Sequence, residues 1–367
     1  MFIQDQGCVL LHHLYEGILP NFGVKNRRLV DHNILSREID WSASEFISAG
    51  TYGNLVKAKW RNLDVAVRVP VFQKRQLGFV HGIESVTRVA CECLLLEFLP
   101  SHRNIVMSIG NGSYRSASAA LLGAKFFVMD PLKMSLQAYY EEPLSEFNWD
   151  ITTNFALEIA EGMTFLHEHF VVHRDLRCAN IFVSHNFRHI KIADFTSSTK
   201  LEVQLDLDVG VGNITDPNDH SKSKLIPQQN QKEESLDGSI DFSPHYGSIS
   251  KVQHCRNALA WVAPECLRGQ VHSFSSDVFS YGMVLWEMAA RCIPWKDREV
   301  AAIAMLTSDC QRPEIDVDWP SSYIQLMEQC WNEAPSERPN FSLIVNTLKG
   351  KLLCPYPLHP KFPQLCI

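Results

Sequence analysis

Four signals are missing from this chain, and each absence counts against a class of protein. The eleven cysteines are scattered, with no CxxC pair of the spacing that structural zinc uses. This usage points to a reduced, intracellular setting, and Cys91, Cys93 and Cys330 read as small buried hydrophobes in apolar helical contexts. No apolar run reaches the roughly 18 residues that a membrane-spanning helix needs, and no basic segment followed by a hydrophobic one opens the chain. The GxxxxGK[ST] segment of P-loop ATPases and GTPases does not occur.

Positive charge is also in short supply. Lys and Arg number 34 against 41 Asp and Glu, a formal net charge of -7, which disfavours nucleic acid and anionic membranes as partners. What the chain has is apolar mass: 46% of its 367 residues are hydrophobic and 20% charged, enough for a sizeable core in one two-lobed domain or two small ones. Asn213-Ile214-Thr215 is a glycosylation sequon by pattern only.

Residues 1 to about 40 mix short apolar stretches with Gly and Pro, as a packing extension or the end of a larger region would. From Glu38 to Met129 the pattern is strand-rich, with a glycine turn at Gly50 to Gly53 and a helix predicted from Val86 to Leu99. Apolar residues Phe155, Ile159, Met163 and Leu166 recur at helical spacing within Asp150 to His169, and Phe274 to Arg291 predicts a second long helix. A sheet lobe followed by a helical lobe is therefore expected. Residues 200–256 are polar and lack periodicity, which predicts a mobile insertion. After Gly350 comes a proline-rich tail, whose final cysteine lies too near the end for a prenylation box.

The strongest chemical signal is His173-Arg174-Asp175-Leu176-Arg177-Cys178-Ala179-Asn180. Ala193-Asp194-Phe195 follows after a predicted short strand pair, then Ala263-Pro264-Glu265. Upstream, Ile47-Ser48-Ala49-Gly50-Thr51-Tyr52-Gly53-Asn54-Leu55 precedes Val65-Ala66-Val67-Arg68. Small residues in such a turn let backbone amides approach phosphates. By alternation Leu55 faces the cleft and Ala66 shares a face with position 68.

In order and spacing these segments resemble the protein kinase family over residues 38 to 350, nearest its tyrosine-kinase-like group, Roco-type members included. Glu38-Ile39-Asp40-Trp41 and Trp60-Arg61 add to that likeness. The resemblance implies a bilobal α+β fold, with a small β-rich lobe (38–129) and a larger helical lobe (133–350). Residues 1–37 would form an extension, 200–256 an activation-segment insertion and 351–367 a tail.

It further implies Mg-ATP, or Mn-ATP, between the lobes and a protein substrate or partner kinase, in the cytoplasm. Asp175 would accept the proton of the acceptor hydroxyl, while Asn180 and Asp194 would hold the metal. Arg68 and Glu92 would complete the catalytic set. Ile47, Gly50, Gly53, Leu55, Ala66, Arg68, Asp130, Leu132 and Phe182 would surround the nucleotide. Asp277 would anchor the loop at Asp175, and Arg338 would pair with Glu265.

The departures from the family pattern matter as much. Arg68 stands where the nucleotide-binding lysine belongs, and its planar fork favours bidentate carboxylate pairing, with Glu92 as the expected partner. Lys57, on the strand face of Leu55, is a conceivable substitute. Ser48 replaces the first glycine of the turn, and Thr196 replaces the glycine after Asp194-Phe195, a β-branched residue that restricts the backbone. Asn257-Ala258 replaces a Gly-Thr pair, so the hydroxyl contact to Asp175 is lost. Arg177 replaces the lysine usual in serine/threonine kinases.

Two readings follow: a protein kinase, acting on Ser/Thr or on Tyr, or a nucleotide-binding pseudokinase that works as scaffold or allosteric partner. Ser243 and Tyr246 are candidate phosphosites, with Arg174 as their receiver.

Overall fold

The computed structural model describes residues 34–50, 52–70, 78–113, 125–142, 148–184, 186–201 and 258–352. The expectations for residues 1–33, the sequon, Ser243, Tyr246, Asn257, most of the stretch 200–256 and most of the tail lie outside them.

Two lobes form an α+β fold. The first is an antiparallel five-stranded sheet of β1 (Ile39–Ala49), β2 (Gly53–Trp60), β3 (Leu63–Pro70), β4 (Ser108–Ser113) and β5 (Lys125–Met129), in the order β1-β2-β3-β5-β4. One helix, α1 (Gly78–Phe98), packs on it. This helix begins eight residues before the predicted Val86, because Gly78, His81 and Gly82 are weak helix formers that hide its first turns in the sequence.

The second lobe contains short strands β6 (Met134–Ser135), β7 (Val171–Val172), β8 (Ile181–Val183), β9 (Ile190–Ile192) and β10 (Thr199–Lys200). Its helices are α2 (Leu136–Glu141), α3 (Trp149–Glu168), α4 (Pro264–Leu267), α5 (Phe274–Ala290), α6 (Val300–Ser308), α7 (Ser321–Cys330) and α8 (Phe341–Leu352). The two long helices start where side chains satisfy the first free amides: Asn148 accepts from Ile151 N, and Ser273 and Ser276 form a reciprocal capping box. Arg291, in the left-handed region at φ 52°, ends α5. No helix among the described residues is long and apolar enough to cross a membrane.

Alternation sorts the sheet between two apolar clusters. Ala58, Val65, Val67, Phe126 and Val128 join Ile34 and Ile39 on one face. Leu55, Ala66, Phe127 and Met129 belong to the main core, which continues into the helical lobe as far as Leu348.

Ile34 donates its amide to Asn111 O at 2.7 Å, which brings the chain entering the sheet against β4. Gly112 permits this approach, since a Cβ there would collide with Ile34 O and the Phe126 ring. Gly112→Ala is expected to destabilise the protein by about 1–3 kcal/mol through overpacking, measurable by chemical denaturation.

Candidate functional site

The turn between β1 and β2 closes through Gly50 N donating to Gly53 O at 2.9 Å. It lies low against its surroundings. A Cβ on Gly50 would come within 3.0 Å of Arg68 Nη1 and 3.2 Å of Asp194 Oδ2, and one on Gly53 within 3.0 Å of Val89 Cγ2 on α1. Glycine is needed at both positions because backbone meets side chain directly. The Ser85 hydroxyl of α1 donates to Tyr52 O, and the Arg88 guanidinium stands 5.4 Å from the Tyr52 ring centroid. Ile47 packs on the main core beside this turn.

Beneath the turn lies Arg68. It sits in mid β3, opposite Leu55 of β2 and Phe127 of β5, and is 2% exposed. Its Nη2 donates to Glu92 Oε1 at 3.4 Å and stands 3.3 Å from Asp194 Oδ2, while Nη1 donates to Gly53 O at 3.2 Å. Nε approaches Glu92 Oε2 to 3.3 Å without hydrogen-bond alignment, so that contact is an ion pair only. The expected Arg68–Glu92 pair is therefore present, and Asp194 and the turn join it.

One guanidinium thus serves two buried carboxylates. Burial alone would lower the Arg68 pKa, but Asp194 and Glu92 hold it above its ordinary value. Burial pushes Glu92 up to about 7 against the pull of Arg68. Asp194 stays below the usual carboxylate range, because Arg68 and the Thr196 hydroxyl outweigh its desolvation.

Thr196 acts in a way the sequence did not suggest. Its hydroxyl donates to Asp194 Oδ1 at 2.6 Å, a short contact between residues two apart. The residue with left-handed backbone is Asp194 itself, at φ 62°.

A second group comes from the loop after β7. Asp277 of α5, fully buried, accepts from His173 N at 2.8 Å, Arg174 N at 2.9 Å and His167 Nε2 at 3.0 Å, and so fixes the loop's course. Asn180 Nδ2 donates to both Asp175 O at 2.8 Å and Asp175 Oδ2 at 2.7 Å, which occupies the amide nitrogen and leaves the amide oxygen as acceptor. Arg177 Nε donates to Asp175 Oδ1 at 3.0 Å. Burial would lower the Arg177 pKa, but Asp175 and Asp194 raise it. Arg174 donates to the Thr199 hydroxyl at 2.8 Å.

Both groups open on one cavity of about 230 Å³, lined among others by Ser48, Arg68, Arg177, Asn180, Phe182 and Asp194. Ligand pockets commonly measure about 300–1,000 Å³, so a nucleotide needs the turn or Arg68 to give way. Leu55, Ala66 and Leu132 are at most 3% exposed, packed as core rather than standing open around a cleft, whereas Phe182 lines the cavity. The Asp130 carboxylate is turned aside, pairing with Lys191 at 2.8 Å and accepting from Met107 N at 3.0 Å. Lys57 is no substitute for Arg68, since its ammonium reaches Glu45 at 3.8 Å on the half-exposed edge of the sheet.

Asn180 and Asp194 present oxygen donors to the same cavity, the chemistry that a hard divalent cation takes, with water and phosphate completing its shell. The donor types suit such an ion, but Arg68 Nη2 at 3.3 Å from Asp194 Oδ2 and the Thr196 hydroxyl on Oδ1 already engage both Asp194 oxygens, so this arrangement does not fit one. Among the described residues no cluster of three or more His, Cys, Asp or Glu could hold a metal.

The sequence model of the family described as protein tyrosine and serine/threonine kinase matches residues 42–210 and 242–348. A Dictyostelium discoideum protein named as a probable LIM domain-containing serine/threonine-protein kinase is 24% identical over 93% of this chain and 43% of its own length. Two dual specificity protein kinases of the same organism, shkD and splA, are each 26% identical, over 87% and 85% of this chain and 36% and 12% of their own lengths. The chain thus spans less than half of each of these relatives.

Proposed function

The chain belongs to the protein tyrosine and serine/threonine kinase family, and from that premise we propose that it is a protein kinase domain that phosphorylates serine or threonine hydroxyls of proteins, working slowly. The observation that carries this reading is the meeting of Asn180 and Asp194 at one cavity, with Asp175 tied to it through Asn180 Nδ2, 2.7 Å from Asp175 Oδ2. The names of the relatives, serine/threonine and dual specificity kinases, support the acceptor class.

In this reading Asp175 orients the acceptor hydroxyl and takes its proton. The hydroxyl oxygen forms its bond to the γ-phosphorus of ATP as the bond to the β,γ-bridging oxygen breaks, and that oxygen leaves with the electron pair on ADP. Once Arg68 has released Asp194, Asn180 and Asp194 would hold magnesium, which when bound supplies positive charge against the phosphates. Arg177 steadies the Asp175 carboxylate through Nε. Arg68, in the place of the family's lysine, pairs with Glu92 and contributes charge from the floor of the turn. The domain acts in the cytoplasm.

A test is phosphotransfer from labelled ATP to serine, threonine and tyrosine peptides, with Asp175→Asn alongside. Incorporation on serine or threonine that disappears in Asp175→Asn supports the proposal. Tyrosine-only incorporation removes the acceptor assignment.

One observation favours a second reading, a pseudokinase that works as scaffold or as regulator of a partner kinase: the Arg68 guanidinium engages Glu92, Asp194 and Gly53 together. A wild-type protein that binds ATP but transfers nothing to any acceptor belongs to that class.

A further inference from the structure

We propose that the Arg68 guanidinium serves as a built-in cation at Asp194, so that this site binds a nucleoside polyphosphate without a divalent metal. The inference rests on the nucleotide-site reading above. It concerns what accompanies the nucleotide into the site.

Both oxygens of Asp194 are engaged. Oδ2 lies 3.3 Å from Arg68 Nη2, and Oδ1 accepts from Thr196 at 2.6 Å. A magnesium ion would have to stand about 2.0–2.1 Å from one of them, against the charge and bulk of the guanidinium. Proton loss cannot clear the way, because arginine keeps its charge in proteins.

Nor does the side chain swing freely. Moving the guanidinium off Asp194 strains its bonds to Glu92 and to Gly53 O at once, and it would leave two carboxylates, buried to 0% and 7% exposure, without their cation. Thr196 adds a further hold, since its hydroxyl keeps Asp194 turned into this arrangement.

The cavity is equipped for phosphate by other means. Arg68 and Arg177 both line it, with Ser48 and Ser135 and beside Glu141 and Asp194. Guanidinium groups bind phosphate through directional, charge-assisted hydrogen bonds, so the neutralising charge that a metal would carry is already covalently attached to the chain. Transfer would then proceed only from the minority arrangement in which Arg68 has released Asp194, which keeps turnover low.

Isothermal titration of ATP into the wild-type chain and into Arg68→Lys, each in EDTA and in magnesium, tests this. The wild type should bind ATP equally in both media, whereas Arg68→Lys should bind about tenfold tighter with magnesium, the ordinary size of coupling between two ligands. Manganese paramagnetic resonance with ADP gives a second readout: protein-bound manganese should appear in Arg68→Lys and not in the wild type. Wild-type binding that requires magnesium overturns the inference and leaves the kinase reading standing. A folded wild type that binds ATP in neither medium overturns both. If Arg68→Lys fails to fold, the wild-type comparison in the two media decides alone.

Discussion

Replacing Arg68 by lysine is expected to raise ATP-dependent phosphotransfer by about 100-fold, the ordinary worth of one well-placed electrostatic contact in a transition state. Transfer depends on placing positive charge against the phosphates to within a fraction of an ångström. Arg68 is placed for something else, with its fork spread over Glu92 and Asp194. A lysine ammonium is a compact point charge on a flexible stem; it can keep Glu92 while freeing Asp194 for a metal.

Two residues limit the gain. Thr196 still holds Asp194 Oδ1, and Ala258 offers no hydroxyl to Asp175. Arg68→Ala should lower whatever activity the wild type has, and should loosen α1 by leaving Glu92 without its partner. Initial rates of the three proteins in one assay provide the check. Robust wild-type turnover unchanged by Arg68→Lys would show that arginine is suited to this position, and absence of turnover in all three with ATP binding intact would select the pseudokinase.

Loss of the Arg338 side chain should cost about 3–5 kcal/mol of stability, the penalty for leaving one partner of a buried ion pair alone. Arg338 holds Glu265 with two parallel bonds, Nη1 to Oε1 at 2.6 Å and Nη2 to Oε2 at 2.9 Å. It also donates to the carbonyls of Asn332, Ser275 and Glu333, and its guanidinium stands 5.2 Å from the Phe279 ring centroid. Arg338→Ala therefore strands a carboxylate and three carbonyls in one place. Arg338→Lys should recover only part of the loss, because an ammonium cannot make the parallel pair. Denaturant unfolding of both variants measures this, and a loss under about 1 kcal/mol for Arg338→Ala would mean that the pair behaves as a surface one.

Much of this architecture was legible because hydrophobic period is a local signal. Alternation put Leu55 toward the cleft and Ala66 on the face of Arg68, and Phe274 was read as the start of α5 to the residue. What failed was distance across the chain. The Arg68–Glu92 pair could be anticipated from side-chain chemistry, but no spacing says that Asp194 and Gly53 O also fall within reach of the same guanidinium. Leu55 and Ala66 were assigned to the right face, yet the closeness of the opposing lobe, which makes them core, depends on packing that no single segment encodes. Asp130 came only with the family resemblance, and the direction of its carboxylate is set by Lys191 on another strand. Thr196 was read for its backbone stiffness; its hydroxyl proved to be the part that matters.

The main apolar cluster runs without a break from Leu55 and Ala66 in the sheet to Leu348 in the last helix, whereas the other face of the sheet carries a small cluster of its own. A core with no seam between lobes has no plane along which one lobe can melt first. Calorimetric and van't Hoff enthalpies should therefore coincide on heating. Native-state hydrogen exchange should be graded across the sheet: amides of β1, an edge strand, open locally well below the global free energy, and those of β3 and β5 only with the whole protein.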